Sequence, residues 1–170
     1  MAENLILGTF TFTTVGAIKS SSKRKEGDLD FSTGVEVHGV EFGMQVPTDP
    51  SRMVVTGRRS YKPFAFFKLI DETSPKFYQA CATGDTGKSV SLIMNKIDAG
   101  GKPQKFYQWD FTNVILTNMQ QFQGGATGTS SNTQFSIHDY ERIEFVFESI
   151  TQTNVIAKTV YTDSLLGGNK

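Results

Sequence analysis

Apolar and polar residues alternate with a period of two along most of this chain, the spacing of strands buried on one face. In residues 5–15 the apolar positions are Leu5 and Leu7, then Phe10 and Phe12, so the phase slips by one residue around Gly8-Thr9. Residues 35–44 repeat the device: Val35 and Val37 give way to Val40, Phe42 and Met44, with Gly39 at the slip. A slip at glycine predicts a β-bulge or a sharp strand bend, which curves a sheet toward closure into a barrel. Both segments are expected as bent strands, and the polar, Ser- and Lys-rich stretch 16–34 between them as a surface loop.

Further along, residues 45–63 carry three prolines and only a short β-like patch, Met53-Val54-Val55. A long excursion with little core of its own is expected to serve function or a partner. Residues 64–70, FAFFKLI, read as a strand covered on both faces. The helix signals gather in 74–83: Ser74 as a cap, Pro75 in the first turn, Gly84 as the stop, and Phe77, Ala80 and Cys81 as an inward stripe. Residues 89–97 and 104–111 flank the tight turn Ala99-Gly100-Gly101-Lys102 and predict a hairpin. The strand continues over 114–122 with a bend at Asn113, and 123–134 is expected as a flexible low-complexity loop. Residues 140–150 place Ile143, Phe145 and Phe147 on one face and Arg142, Glu144 and Glu148 on the other; 151–161 offers a last strand and the terminal GGNK a frayed end. The expected fold class is mainly β, an antiparallel β-barrel with one short α-helix.

Composition narrows the partners. The 170 residues suit a single domain, 1–170, and seventeen basic against seventeen acidic side chains leave no net field to attract nucleic acid or an anionic membrane. Fourteen Phe and sixteen Gly fit strands and turns. The lone Cys81 has no partner for an internal disulfide and reads as a small buried hydrophobe. The N-terminus has neither the basic region nor the apolar run of a signal peptide, and no segment is long enough to span a membrane, so synthesis in the cytoplasm is expected, with any export independent of a leader.

The chemistry-bearing motifs weaken on inspection. Ala82 to Ser89, ATGDTGKS, has the spacing of a phosphate loop, but that chemistry needs a strand before the loop and a helix after it; here the order is reversed. His38 and His138 have no neighbours at metal-ligand spacing, and no metal or cofactor is expected. Asp71 and Glu72 are placed to complement the helix dipole and not as a catalytic pair. Arg58-Arg59, with Lys62 nearby, reads as a contact to carboxylates on a partner, not as a nucleic-acid patch.

Taken in order, Val46-Pro47-Thr48-Asp49-Pro50, Gly57-Arg58-Arg59 with Lys62-Pro63-Phe64, Ser74-Pro75 with Tyr78 and Ala80, and the Ala99–Lys102 turn resemble the haemolysin-coregulated protein (Hcp) family. The resemblance runs from Gly34 to Phe111. It implies a non-enzymatic β-barrel subunit of the bacterial type VI secretion tube. Such subunits close into homo-hexameric rings that stack into a hollow tube, carry effector proteins, and work with a spike protein and a contractile sheath. They are made in the bacterial cytoplasm and secreted through that apparatus without a signal peptide. It also implies that the long loop packs on a neighbouring subunit, which assigns Val46, Pro47, Arg58, Arg59, Lys62 and Pro63 to the subunit interface. Two other readings stay open on the residues alone. One is a monomeric small-ligand-binding β-barrel of lipocalin type; the other is a hydrolase whose triad meets across strands.

Overall fold

The structure, a computed structural model, describes residues 6–122 and 139–165. Strand β1 (Ile6–Phe12) turns Ile6, Phe10 and Phe12 into the main core, while Leu7 on its other face joins a smaller cluster with Leu29, Phe31 and Ile93. Its ladder to the strand Thr86–Ile97 passes through Gly8 without interruption and shifts only between Thr11 and Phe12. The expected bulge at Gly8-Thr9 is therefore absent. The apparent phase slip arises because both faces of β1 are covered; Leu5 lies outside the described residues. Gly8 is small for a packing reason, since a β-carbon there would meet Cε2 of Phe10 at 2.6 Å.

The stretch 16–34 is more than a surface loop. It contains β2 (Ala17–Ile18), which pairs with β1, and a small hairpin of β3 (Lys25–Glu26) and β4 (Leu29–Asp30) followed by a 3-10 turn at Phe31–Thr33. Leu29 and Phe31 are buried and supply the cover over Leu7. Their i, i+2 spacing was the available sign, masked by the polar residues around them.

Strands β5 (Val35–Val37) and β6 (Gly39–Glu41) form one extended segment that changes partner at His38. Its first half lies on β1; its second half lies on the strand Phe64–Leu69, and the amide of His38 donates to the carbonyl of Phe67 at 2.8 Å. The glycine at 39 thus marks the seam at which the two ends of the sheet meet. Next come β7 (Met44–Gln45), β8 (Thr48–Asp49), β9 (Val54–Val55) and β10 (Ser60–Tyr61), then β11 (Phe64–Leu69) and the helix α1 (Ser74–Thr83). The long strands β12 (Thr86–Ile97) and β13 (Pro103–Phe122) form the expected hairpin, and β14 (Tyr140–Val146), β15 (Ser149–Asn154) and β16 (Thr159–Ser164) complete the sheet. The order is β2-β1-β12-β13-β14-β11-β6, with β5 on β1 and the β15–β16 hairpin on β13. The result is a mainly antiparallel β fold of barrel-like form, with one short α-helix among the described residues.

Two corrections concern the C-terminal half. The strand expected over 140–150 is interrupted at Phe147-Glu148, and the expected last strand is a hairpin, with its turn at 155–158. The 123–134 loop, His138 and the terminal GGNK lie outside the described residues. Asn113 does bend β13: its φ is 48°, and from there the strand exchanges β15 for β14 as a partner.

Aromatic rings fill the barrel. Phe64 stands 4.9 Å from Phe111 and 5.1 Å from Phe145, and Phe10 stands 4.9 Å from Phe66 and 5.0 Å from Phe77 between ring centroids. Helix α1 lays Phe77 and Ala80 on this inward side of β11, not on its outer face. Gly84, with φ 62°, closes the helix in the left-handed conformation that glycine adopts most cheaply.

Candidate subunit interface

Residues 42–63 fold back on themselves as a projecting β-hairpin arm. At its base β7 pairs with β10, and further out β8 pairs with β9. Between the two ladders the amide of Thr56 donates to the carbonyl of Pro47 at 2.9 Å, and Gly57 lies against the Pro47 ring so closely that a β-carbon would stand 3.2 Å from Cγ. The excursion thus has local structure that periodicity alone did not reveal, because each ladder is only two residues long. At the tip, Asp49 accepts from the Ser51 hydroxyl at 2.6 Å and amide at 2.9 Å, and those bonds hold its carboxyl below the usual carboxylate range. Met53 follows with φ 54° and is 89% exposed. Met44, Val46, Val54 and Val55 are also exposed, so the arm offers apolar surface to solvent.

The root of the arm is fixed twice. Phe42 and Tyr61 stack on each other and reach Phe64 and Phe147 of the core. Beside them, Arg59 makes a bidentate ion pair with Asp163 of β16, and the Tyr61 hydroxyl donates to Asp163 Oδ2 at 2.6 Å. The guanidinium, helped by that hydroxyl, pulls the Asp163 carboxyl down to about 2; burial and the same carboxylate push the Tyr61 phenol well up. The six expected interface residues therefore divide. Val46, Pro47, Arg58, Lys62 and Pro63 are exposed along the arm, and among the described residues the side chains of Arg58 and Lys62 have no hydrogen-bond or ion-pair partner. Arg59 finds its carboxylate within its own chain, a correction to the expectation that both arginines meet a partner's carboxylates.

A second polar cluster, not singled out in the sequence, lies under the helix. Lys68 is 0% exposed, and its Nζ donates to Glu141 Oε1 at 2.7 Å, Asp71 Oδ1 at 2.9 Å, the Leu69 carbonyl at 2.6 Å and the Ser74 hydroxyl at 3.2 Å. Ser74 Oγ also donates to Glu141 and accepts the amide of Asp71. Ser74 therefore does not cap the helix. Thr73 takes that position, with its own hydroxyl and amide bound by Asp71. Burial pushes the Asp71 carboxyl up, but the Thr73 and Lys68 bonds outweigh it and set it below its ordinary value. Asp71 is thus a structural ligand of Lys68, and Glu72 accepts the amide of Ser21 in the linker.

The remaining candidates take ordinary structural places. ATGDTGKS is a helix end running into β12. Its Asp85 accepts the amides of Thr14 at 2.9 Å and Val15 at 2.8 Å, while Lys88 is exposed. Burial raises the Asp85 carboxyl, and the two amides more than offset it. His38 stands edge-on to Tyr140, and Cys81 is half-buried, its Sγ 3.8 Å from the Leu116 carbonyl. Among the described residues no three His, Cys, Asp or Glu side chains gather to hold a metal ion.

The chain is similar to known proteins in sequence and in fold. The family model "Type VI secretion system effector, Hcp" matches residues 13–153, well beyond the Gly34–Phe111 span in which the motifs are legible. The "Major exported protein" of Pseudomonas aeruginosa is 25% identical over 156 residues, covering 92% of this chain and 84% of that protein. Among solved structures, one called Hcp protein superposes with a TM-score of 0.81 at 19% identity, covering 94% of this chain and 98% of the other. The Hcp1 protein from E. coli EAEC 042 gives 0.75 at 26% identity, covering 94% and 97%. Matched along most of its length in sequence and in fold, this chain belongs to the Hcp family of type VI secretion system proteins.

Proposed function

We propose that this protein is a structural subunit of the type VI secretion tube. Copies close into a hexameric ring, rings stack into a hollow tube, and the tube delivers effector proteins while a contractile sheath drives it out behind a spike. The observation that carries this reading is the arm. A solitary soluble protein has little use for a projecting hairpin that holds Met53 and Val55 89% and 62% exposed, whereas a neighbour in a ring would cover them. The edge of β16 supports the same view, since β15 is its sole ladder partner among the described residues and an open edge invites pairing or cover. Subunits leave the cell through the apparatus they build, a reading supported by the name of the Pseudomonas relative, which calls that protein exported.

A monomeric ligand-binding barrel fits less well, because the interior it would need is occupied by Phe10, Phe64, Phe66, Phe77, Phe111 and Phe145. Light scattering and negative-stain imaging of the purified full chain distinguish the two. The tube reading expects ring-shaped particles with six times the subunit mass; solitary particles persisting at high concentration would sink it.

A further inference from the structure

Residues 21–33 stand apart from the rest of the fold. At their two ends the amide of Ser20 donates to the carbonyl of Gly34 at 2.8 Å, and Gly34 is pressed on the Gly8 carbonyl of β1 with no room for a β-carbon between them. The segment thus leaves the sheet and returns to it at one fixed point. Between those ends it holds itself together. The two-residue ladder of β3 and β4 is reinforced by the amide of Phe31, which donates to the Arg24 carbonyl at 3.1 Å, and by Lys25 Nζ, 3.1 Å from Asp30 Oδ2. Asp30 also accepts the Ser32 hydroxyl at 2.6 Å on its carboxylate and the Thr33 hydroxyl at 2.7 Å on its carbonyl.

Its ties to the sheet are of another kind. Among the described residues β3 and β4 share no ladder with any other strand. Beyond its ends the segment is held by Asn95 Nδ2, which donates to the Glu26 carbonyl at 2.9 Å, by the exposed pair of Arg24 with Glu36 at 3.1 Å, and by the Ser21 amide on Glu72. Leu29 and Phe31 add apolar contact, lying on Leu7 and Ile93 in a cluster separate from the main core. A hairpin with few buried contacts and no ladder to its neighbours sits at the low end of local stability.

Asn95 supplies a second sign. It is 4% exposed, and its Oδ1 finds no hydrogen-bond partner among the described residues. A buried acceptor without a donor costs free energy that is recovered when water reaches it. The closed arrangement carries that cost, and an arrangement with the segment lifted does not.

We propose that residues 21–33 form a hinged flap, turning as one piece about the Ser20–Gly34 junction, which keeps a slot of Leu7, Ile93 and Asn95 covered and uncovers it without unfolding the barrel. The slot's occupants are the flap's own Leu29 and Phe31, two residues apart in the chain. The contact is therefore autoinhibitory: it withholds from other chains an apolar strip beside an unused acceptor. The device belongs to the single chain and does not depend on ring formation.

The test is native-state thiol labelling of the full chain in a Cys81→Ser background. Leu7→Cys reports on the slot, Leu29→Cys on the flap itself, and Ala80→Cys, fully buried in the main core, on global unfolding. Reaction with N-ethylmaleimide is followed at fixed protein concentration from zero urea to the foot of the unfolding transition. Urea dependence scales with the surface exposed on opening, so the rates at positions 7 and 29 should stay nearly flat while the rate at position 80 rises steeply. Arg24→Ala removes the tie to Glu36 and should raise the rate at position 7 by about two- to fivefold, the effect of one exposed ion pair, with position 80 unchanged. Equal urea dependence at positions 7 and 80, or an equal response of both to Arg24→Ala, would mean that the slot opens only when the whole chain unfolds. Reaction at position 7 as fast as in the urea-unfolded chain would mean that the slot is never covered. Each of these results overturns the proposal.

Discussion

Lys68 interrupts an otherwise apolar run, FAFFKLI, and strand parity sends it inward with Phe64 and Phe66. Glu141 shares the inward parity of Ile143 and Phe145 on the strand beside it. Two opposite charges on inward positions of different strands are thus a readable sign of a buried pair, masked here because apolar residues on both faces of 64–70 hide the parity of Lys68. Removing one partner strands the other's charge without water. Lys68→Met is expected to destabilise the fold by about 3–5 kcal/mol in urea titration, and Lys68→Met with Glu141→Leu to recover most of that loss. Asp163 behaves differently, because its role is at the arm. Its carboxyl sits at about 2 in the fold, against about 3.9 in an unfolded chain. A depressed folded value means that the stabilisation is complete above the unfolded value and is lost as pH falls from about 4 to about 2. Hydrogen exchange at the arm's root should be slow at pH 5 and accelerate through that acid window, and Asp163→Asn should abolish the pH dependence. The two arginines should also separate: Arg58→Glu weakens association while the melting temperature holds, and Arg59→Glu lowers both.

At the scale of elements, the sequence made the helix legible almost residue by residue, since Pro75, the Phe77 and Ala80 stripe and Gly84 each have a strict local meaning. What it did not reveal was the use of Ser74, because a hydroxyl at a helix start looks like a cap whether it bonds the backbone or a buried lysine six residues earlier in the chain. Phe77 joins α1 to Phe10 and Phe66, so Phe77→Ala should cost about 3–5 kcal/mol, measured by thermal or urea unfolding. The β12–β13 hairpin was equally plain from its glycine turn. The arm and the β3–β4 hairpin were not, because two-residue ladders carry no periodicity, and Leu29 and Phe31 acquire meaning only when Leu7 and Ile93 are brought beside them by the sheet.

For the whole molecule, curvature was anticipated from glycine slips, and one of the two slips is real. Gly39 lies at the place where the segment 35–41 leaves β1 for β11; Gly8 lies in an unbroken ladder. The C-terminal hairpin was the least legible part, yet it supplies Asp163 and the open edge of β16. Replacing the arm-tip pair Val54 and Val55 by serine should leave the melting temperature unchanged and shift the light-scattering mass toward the monomer, since both side chains are exposed and touch no core.

Strand β13 runs from Pro103 to Phe122 and has β12 along one side, with β15 and then β14 along the other, while α1 rests on it as well. An arrangement in which one continuous backbone is shared by so many neighbours leaves no large part able to melt by itself. Calorimetry should therefore record a lone, sharp endotherm, and a subunit pulled from its ends should resist until it yields all at once.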